Sequence, residues 1–267
     1  MIKSYKLRRN ISNAVVYVIL AVMGIIWISP LVWMVLHSFR GEGTSAVHYL
    51  IPQTFTFQHY INLFTDTTIL NFPRWFLNTL VVAIFSCIIS TLSVLMVAYT
   101  FSRLRFKARK PLINIGMIIG MFPGFMTMIA IYYLLKAMSL TQTLPALVIC
   151  YSAGAGIGFQ ISKGFFDTIP RALDEAATID GATKNQIFWK IILPMSKPIV
   201  VYTVLTAFIG PWTDFILVKI IMGDARDNYT VSVGLQLMAS QQYISKYYQR
   251  FLAGSTVVAI PITLLFL

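Results

Sequence analysis

Charge-free stretches divide this chain. Residues 11–39, 75–102, 111–135 and 137–162 contain no Asp, Glu, Lys or Arg, and each exceeds the ~20 residues that cross a hydrocarbon core as a helix. A fifth run, residues 199–222, is interrupted only by Asp214 and Lys219, and a sixth starts at Phe251 and continues to Leu267. The pattern predicts an all-α membrane protein with six spans, approximately 12–37, 75–101, 111–135, 144–163, 199–222 and 251–267. The sixth run holds 17 residues, a reach of ~25 Å against a core of ~30 Å. A truncated last helix is therefore expected. Lys3, Lys6, Arg8 and Arg9 would suit the basic start of a signal peptide. The apolar run behind them is too long, however, and it closes on Leu36-His37-Ser38-Phe39-Arg40 instead of a small-residue cleavage site. A retained first span is predicted.

Orientation follows from the basic residues, which concentrate on the cytoplasmic side. With the N-terminus inside, the inner segments hold 14 of the 21 Lys and Arg, including Arg103, Arg105, Lys107, Arg109 and Lys110. The outer segments hold five of the nine acids: Glu42, Asp66, Asp214, Asp224 and Asp227. The N-terminus is therefore expected to be cytoplasmic, within one transmembrane domain covering residues 1–267. Residues 37–74 and 223–250 become outer loops, and residues 164–198 an inner one.

Composition supports this frame: 57% of the residues are hydrophobic and 11% charged, against about 25% charged in ordinary soluble chains, and mean hydropathy is +0.74. The formal net charge of +12 is a topology signal. The cations flank spans instead of forming one stripe, so nucleic acid is not an expected partner. Cys87 and Cys150 lie inside spans as small hydrophobes. His37, His48 and His59 show no metal-ligand spacing. No Gly-Lys pair occurs anywhere, so the chain lacks the usual phosphate cradle. Any ATP that drives it must bind another subunit.

Three regions carry candidate chemistry. The outer segment 223–250 is rich in Gln, Ser and Tyr, side chains that suit either an ordinary loop or an adaptable contact surface. The third span contains Pro123-Gly124, which predicts a kink, and the fourth contains Gly154, Gly156 and Gly158; these features serve packing or a moving gate. Asp214 is the one acid embedded in a span. With Trp212 and Thr213 it either lines a polar path or has a structural role near the interface.

The inner segment 164–198 reads as two short helices around a glycine hinge on the membrane surface. Pro170 suits a first helical position, Asp174 and Glu175 complement the helix dipole, Asp180-Gly181 breaks the helix, and Thr183 caps the next one toward Pro194. Its alanine pair leaves two readings open, a helix resting on lipid or a surface that another protein approaches closely.

The stretch "EAATIDGATKNQIFWKIILP" resembles the EAA loop of the inner-membrane permease subunits of ABC importers, with Glu175, Ala176, Ala177, Gly181, Ile191, Leu193 and Pro194 in the family's spacing. "GMFPGFMTMIAIY" from Gly120, "NYTVSVGLQ" from Asn228 and "AIPITLLFL" from Ala259 extend the similarity, which is to the second, smaller permease of maltose and maltodextrin importers. The resemblance implies a type I ABC importer permease fold in the plasma membrane of a prokaryote. It implies a transporter subunit, not an enzyme, that binds no cofactor itself; ATP and Mg belong to two cytoplasmic ATPase partners. Glu175, Ala176, Ala177, Asp180, Gly181, Ile191, Leu193 and Pro194 would couple to those ATPases. The outer loop, through Gly234, Gln236, Ser240, Gln241 and Gln242, would meet an external solute-binding protein. Pro123, Gly124, Trp212, Thr213 and Asp214 would serve the pathway or gate, shared with a second permease.

The implied cargo is an oligosaccharide, most specifically maltodextrin, though similar permeases carry galacto-oligosaccharides, raffinose-type sugars and glycerol phosphate. The competing class is an ATP-independent secondary sugar transporter. It predicts several intramembrane acids or inverted repeats, where this sequence has one embedded acid and no evident repeat.

Overall fold

The computed structural model describes residues 2–41, 49–154 and 158–266, with side chains from residue 9 onward. Glu42, His48 and Gly156, and the side chains of Lys3, Lys6 and Arg8, lie outside the described residues. In chain order the helices are α1 (Ile2–Ser38), α2 (Gln58–Thr65), α3 (Phe72–Arg103), α4 (Arg109–Gly120), α5 (Gly124–Ala137), α6 (Leu144–Gly154), α7 (Phe159–Thr168), α8 (Ala172–Ile179) and α9 (Lys184–Ile187). A π-helical stretch (Phe188–Ile192), α10 (Leu193–Met195), α11 (Lys197–Thr213), α12 (Ile216–Met222), a 3-10 turn (Arg226–Asn228), α13 (Val231–Met238) and α14 (Ile244–Phe266) follow.

Among the described residues, four helical segments are long and apolar enough to cross a membrane: Arg9–Ser38, Phe72–Arg103, Leu144–Thr168 and Ile244–Phe266. Two bent pairs raise the number to as many as six. The third predicted span is one of these pairs. Instead of a kink at Pro123, the helix stops at Gly120 and restarts at Gly124 at an angle of 100°. Pro123, with ψ at 126°, lies outside helical geometry, and its missing N–H leaves the helix no ladder to continue. The fifth run is also divided, because the chain breaks at Asp214-Phe215 between α11 and α12. The last helix corrects an expectation: α14 begins at Ile244, not Phe251, and its 23 residues reach ~35 Å. Lys246 and Arg250 ride on its first turns, where the sequence reading had placed loop.

The chain divides into two compact units, Met1–Ile69 with Leu237–Ile260, and Leu70–Gln236 with Pro261–Leu267. The second is built on α3. Its buried positions, including Phe72, Trp75, Thr79, Val82, Ser86, Ser90, Val94, Ala98 and Ser102, recur at helical spacing, while Leu77, Val81, Ile84, Phe85, Ile88 and Met96 are exposed. Lipid is as apolar as leucine, so burial of apolar area does not drive such helices together; close approach over small residues does. Ala83, Ser86, Ser90 and Ala98 supply it, and α6, α7 and α11 pack on α3. Ser86 Oγ donates to the carbonyl of Val82 at 2.6 Å and Thr79 Oγ1 to that of Trp75 at 2.8 Å, so the hydroxyls are satisfied within the helix.

In the first unit the polar core lies where α1 ends. His37, Ser38 and Arg40 are fully buried. Gly41 N donates to Thr54 O at 3.0 Å and Thr56 N to Phe39 O at 2.7 Å, pairing the chain after α1 with residues before α2. With the Gln249 amide turned so that its oxygen faces Arg40, its nitrogen donates to His37 O at 2.9 Å and its oxygen accepts from Arg40 Nε at 2.7 Å. Arg250 meets Asp66 at 2.7 Å. The hydrogen bond from Thr68, followed by that from Arg250, holds the Asp66 carboxyl down to about 2. The most apolar 18-residue window of α1 has no buried residue within this chain.

Candidate coupling surface and polar cavity

The EAA segment folds as a hairpin of short helices. Asp180 N closes α8 on Ala176 O at 3.0 Å, and Gly181 then turns the chain with φ +83°, a left-handed value that glycine adopts without the cost a side chain imposes. Thr183 starts α9 with a capping box: its hydroxyl accepts from Gln186 N and the Gln186 side chain accepts from Thr183 N at 2.8 Å. Pro170 sits two residues before α8 begins, outside the first helical position the sequence suggested.

The motif residues divide into two sets. Ala177 is buried, and Ile191 and Leu193 pack against the core formed by Tyr99, Phe166, Ile187, Phe188 and Ile192. These residues hold the hairpin onto α3 and α7. Glu175, Ala176, Asp180, Gly181 and Pro194 are exposed. At 100° per residue, Ala172, Ala176 and Ile179 share one face of α8, opposite the Ala177 side. Ile179 is 86% exposed. Small and apolar side chains facing solvent at the tip of a hairpin form a surface shaped for close approach by another protein.

Arg103, which the sequence showed only as a flanking charge, fixes this hairpin. Its side chain is 4% exposed and lies 3.1 Å from the Asp174 carboxylate. Its Nη2 donates to the carbonyls of Phe166 at 2.8 Å and Ile169 at 2.9 Å, the end of α7. One guanidinium thus joins α3, α7 and α8 through its fork of donors. Ser102 Oγ donates to Asp167 at 2.6 Å and Tyr99 Oη to Lys184 O at 3.0 Å, so Tyr99, Ser102 and Arg103, in the last two turns of α3, grip the segment.

Between α3, α6, α7 and α11 lies a cavity of about 310 Å³. Hydroxyls dominate its polar lining: Ser90, Ser162, Tyr151, Tyr202, Thr203 and Thr206, with no charged side chain among the described residues. The predicted pathway residues do not line it. Pro123 and Gly124 are exposed at the α4–α5 break. Trp212 is buried against Phe76 and Phe208, and Thr213 is exposed with its hydroxyl on Ile209 O and Gly210 O. Asp214 is held at the cavity's edge. Its Oδ1 accepts from Leu217 N at 3.1 Å and its Oδ2 from Tyr151 Oη at 3.3 Å. The embedded acid thus caps α12 and orients a tyrosine of the cavity.

The loop after α12 is tied to the start of α3. Trp75 Nε1 donates to Arg226 O at 2.8 Å, Asn78 Nδ2 to Asp227 O at 2.8 Å and Tyr229 O at 3.0 Å, and Thr79 Oγ1 accepts from Val231 N at 2.7 Å. Among the candidate partner contacts, Gly234 is a correction: it is buried, and a Cβ there would run into the Trp75 indole ring. Its role is close packing, which a polar loop sequence gave no reason to expect. Gln236, Gln241 and Gln242 are exposed, and Ser240 is half-buried with its hydroxyl on Leu237 O.

Residues 90–267 match the family described as "Binding-protein-dependent transport system inner membrane component". The chain is 34% identical, over all of its length and 94% of the relative's, to the galactooligosaccharides transport system permease protein GanQ of Bacillus subtilis (strain 168). It is 32% identical, with the same coverage, to the maltodextrin transport system permease protein MalD of Streptococcus pneumoniae (strain ATCC BAA-255 / R6). Its fold matches a chain of a bacterial ABC transporter involved in the import of the acidic polysaccharide alginate, with TM-score 0.78 and 19% identity over 96% of this chain and 94% of that one. A second match, with TM-score 0.69 and 15% identity over 96% and 93% of the two chains, is the alginate ABC transporter in complex with an alginate pentasaccharide-bound periplasmic protein. The chain belongs to the binding-protein-dependent inner-membrane components and is a permease subunit of a carbohydrate ABC importer.

Proposed function

We propose that this subunit forms an oligosaccharide pathway with a second permease and couples it to two cytoplasmic ATPases through the exposed face of α8. The observation that carries the reading is the division within the EAA segment: Ala177, Ile191 and Leu193 anchor the hairpin, and Glu175, Ala176 and Gly181 are left facing outward. Closure of the ATPases on ATP would draw α8 with it, and the Arg103 and Tyr99 contacts would pass that displacement to α3. ATP and Mg stay on the partners. An external solute-binding protein delivers the sugar, with Gln236, Gln241 and Gln242 as exposed contacts on the segment after α12.

The cargo we propose is a short uncharged oligosaccharide, because the cavity offers hydroxyls and tyrosines without a cation to hold an acidic sugar. Maltodextrins and galacto-oligosaccharides are the two candidates, the printed cargoes of the relatives named above. The test is ATP hydrolysis by the purified complex in lipid, with the binding protein unloaded or loaded with maltotriose, galactobiose or raffinose. Stimulation by one loaded form identifies the sugar. A complex without ATPase activity that moves sugar in vesicles without ATP would instead be a secondary transporter.

A further inference from the structure

A cleft of about 860 Å³ opens beside α8, on a side distinct from its Ala177 core face, with Ile179 at the border between the cleft and the outward Ala172–Ala176 face. Arg103, Arg105, Arg171 and Lys184 line it, with Asp174 and Glu175 as the acids. Arg103 and Asp174 neutralise each other at 3.1 Å. That leaves Arg105, Arg171 and Lys184 against Glu175, all four exposed, and no ion pair joins any of them among the described residues. Two buried atoms of the cleft's central pair, Arg103 Nε and Asp174 Oδ1, have no hydrogen-bond partner. An unpaired donor and an unpaired acceptor within one ion pair suit a ligand group that both accepts and donates.

The cleft's position narrows the choice. It sits where the uncharged run of α3 ends and the cluster Arg103, Arg105, Lys107, Arg109 and Lys110 begins, at the border of hydrocarbon and water. Phe106, also on its wall, offers an exposed apolar edge. Basic pockets at the cytoplasmic border recognise anionic lipid headgroups. We infer that this cleft binds the headgroup of an anionic glycerophospholipid such as phosphatidylglycerol. The phosphate lies among Arg105, Arg171 and Lys184, and a glycerol hydroxyl is oriented toward the Arg103–Asp174 pair. The inference rests on the inner placement of this segment under the proposed topology, and it requires no transport activity for its test.

The experiment uses the full-length chain, alone and within its complex, in nanodiscs of phosphatidylcholine doped with phosphatidylglycerol carrying a photoactivatable headgroup. Cross-linking is mapped by mass spectrometry. Label is expected on residues 103–106 and 171–184, falling about five-fold for each of Arg105→Gln and Arg171→Gln, since a cation near the surface contributes ~1 kcal/mol. Both side chains are exposed, so the variants should fold, and circular dichroism checks this. Label unchanged in the double variant overturns the inference. So does loss of label when the ATPases join, which would give the cleft to a protein interface, or complete displacement by soluble glycerol phosphate, which would make the ligand a free phosphate ester. Failure of ATP-driven uptake leaves the lipid result unaffected, so the two readings fail separately.

Discussion

At the scale of single residues, the functional weight falls on positions whose chemistry the sequence shows but whose roles it hides. Gly234 belongs to a polar stretch and resembles a surface contact, yet it gives the Trp75 indole its place. Gly234→Ala should cost about 1–3 kcal/mol, the range for overpacking a filled site. Thermal unfolding of the purified chain reads that loss. A variant as stable as the parent would show that the ring moves freely. Arg103 was legible only as a topology signal, because linear sequence cannot distinguish a snorkelling arginine from one folded back onto Asp174 and two carbonyls. The glycine break and the cap after it, by contrast, were legible: a positive φ favours glycine at position 181, and the hydroxyl of Thr183 caps the next helix.

At the scale of elements, helical periodicity gave α3 its buried face and located the apolar runs. Breaks were harder to read. Pro123 announced a kink, but a 100° restart depends on what packs on each half. Asp214 was conspicuous as an embedded acid, and its cap on α12 could not be inferred without knowing that the run is broken there. This assignment separates two roles. Asn retains an acceptor, so Asp214→Asn should unfold within a few tenths of a kcal/mol of the parent, whereas Asp214→Ala should lose about 1 kcal/mol with the cap. If the carboxylate instead holds sugar, Asp214→Asn would raise the KM of uptake while leaving stability intact. The start of α14 is hidden in the sequence for a related reason: Lys246 and Arg250 interrupt the apolar run, although charged side chains on the first turns of a span are tolerated near the interface.

At the scale of the whole molecule, the chain presents faces that it does not cover. The most apolar window of α1 has no buried residue within this chain, as expected of a helix of an inner-membrane component, and the outward face of α8 is small, apolar and exposed. The family was legible because one short motif keeps its spacing. The sugar was not, because hydroxyl-lined cavities suit many neutral oligosaccharides. The coupling assignment for α8 is the central claim, and ATP-driven uptake of labelled oligosaccharide by the reconstituted complex tests it most directly when Ala176→Trp is compared with the parent. Ala176 is exposed and touches none of the hairpin's anchors, so the variant should insert and fold. An indole on that face should block close docking and lower uptake by about ten-fold or more, equivalent to ~1.4 kcal/mol of lost contact. Uptake at the parental rate would contradict the assignment of α8 as the coupling surface.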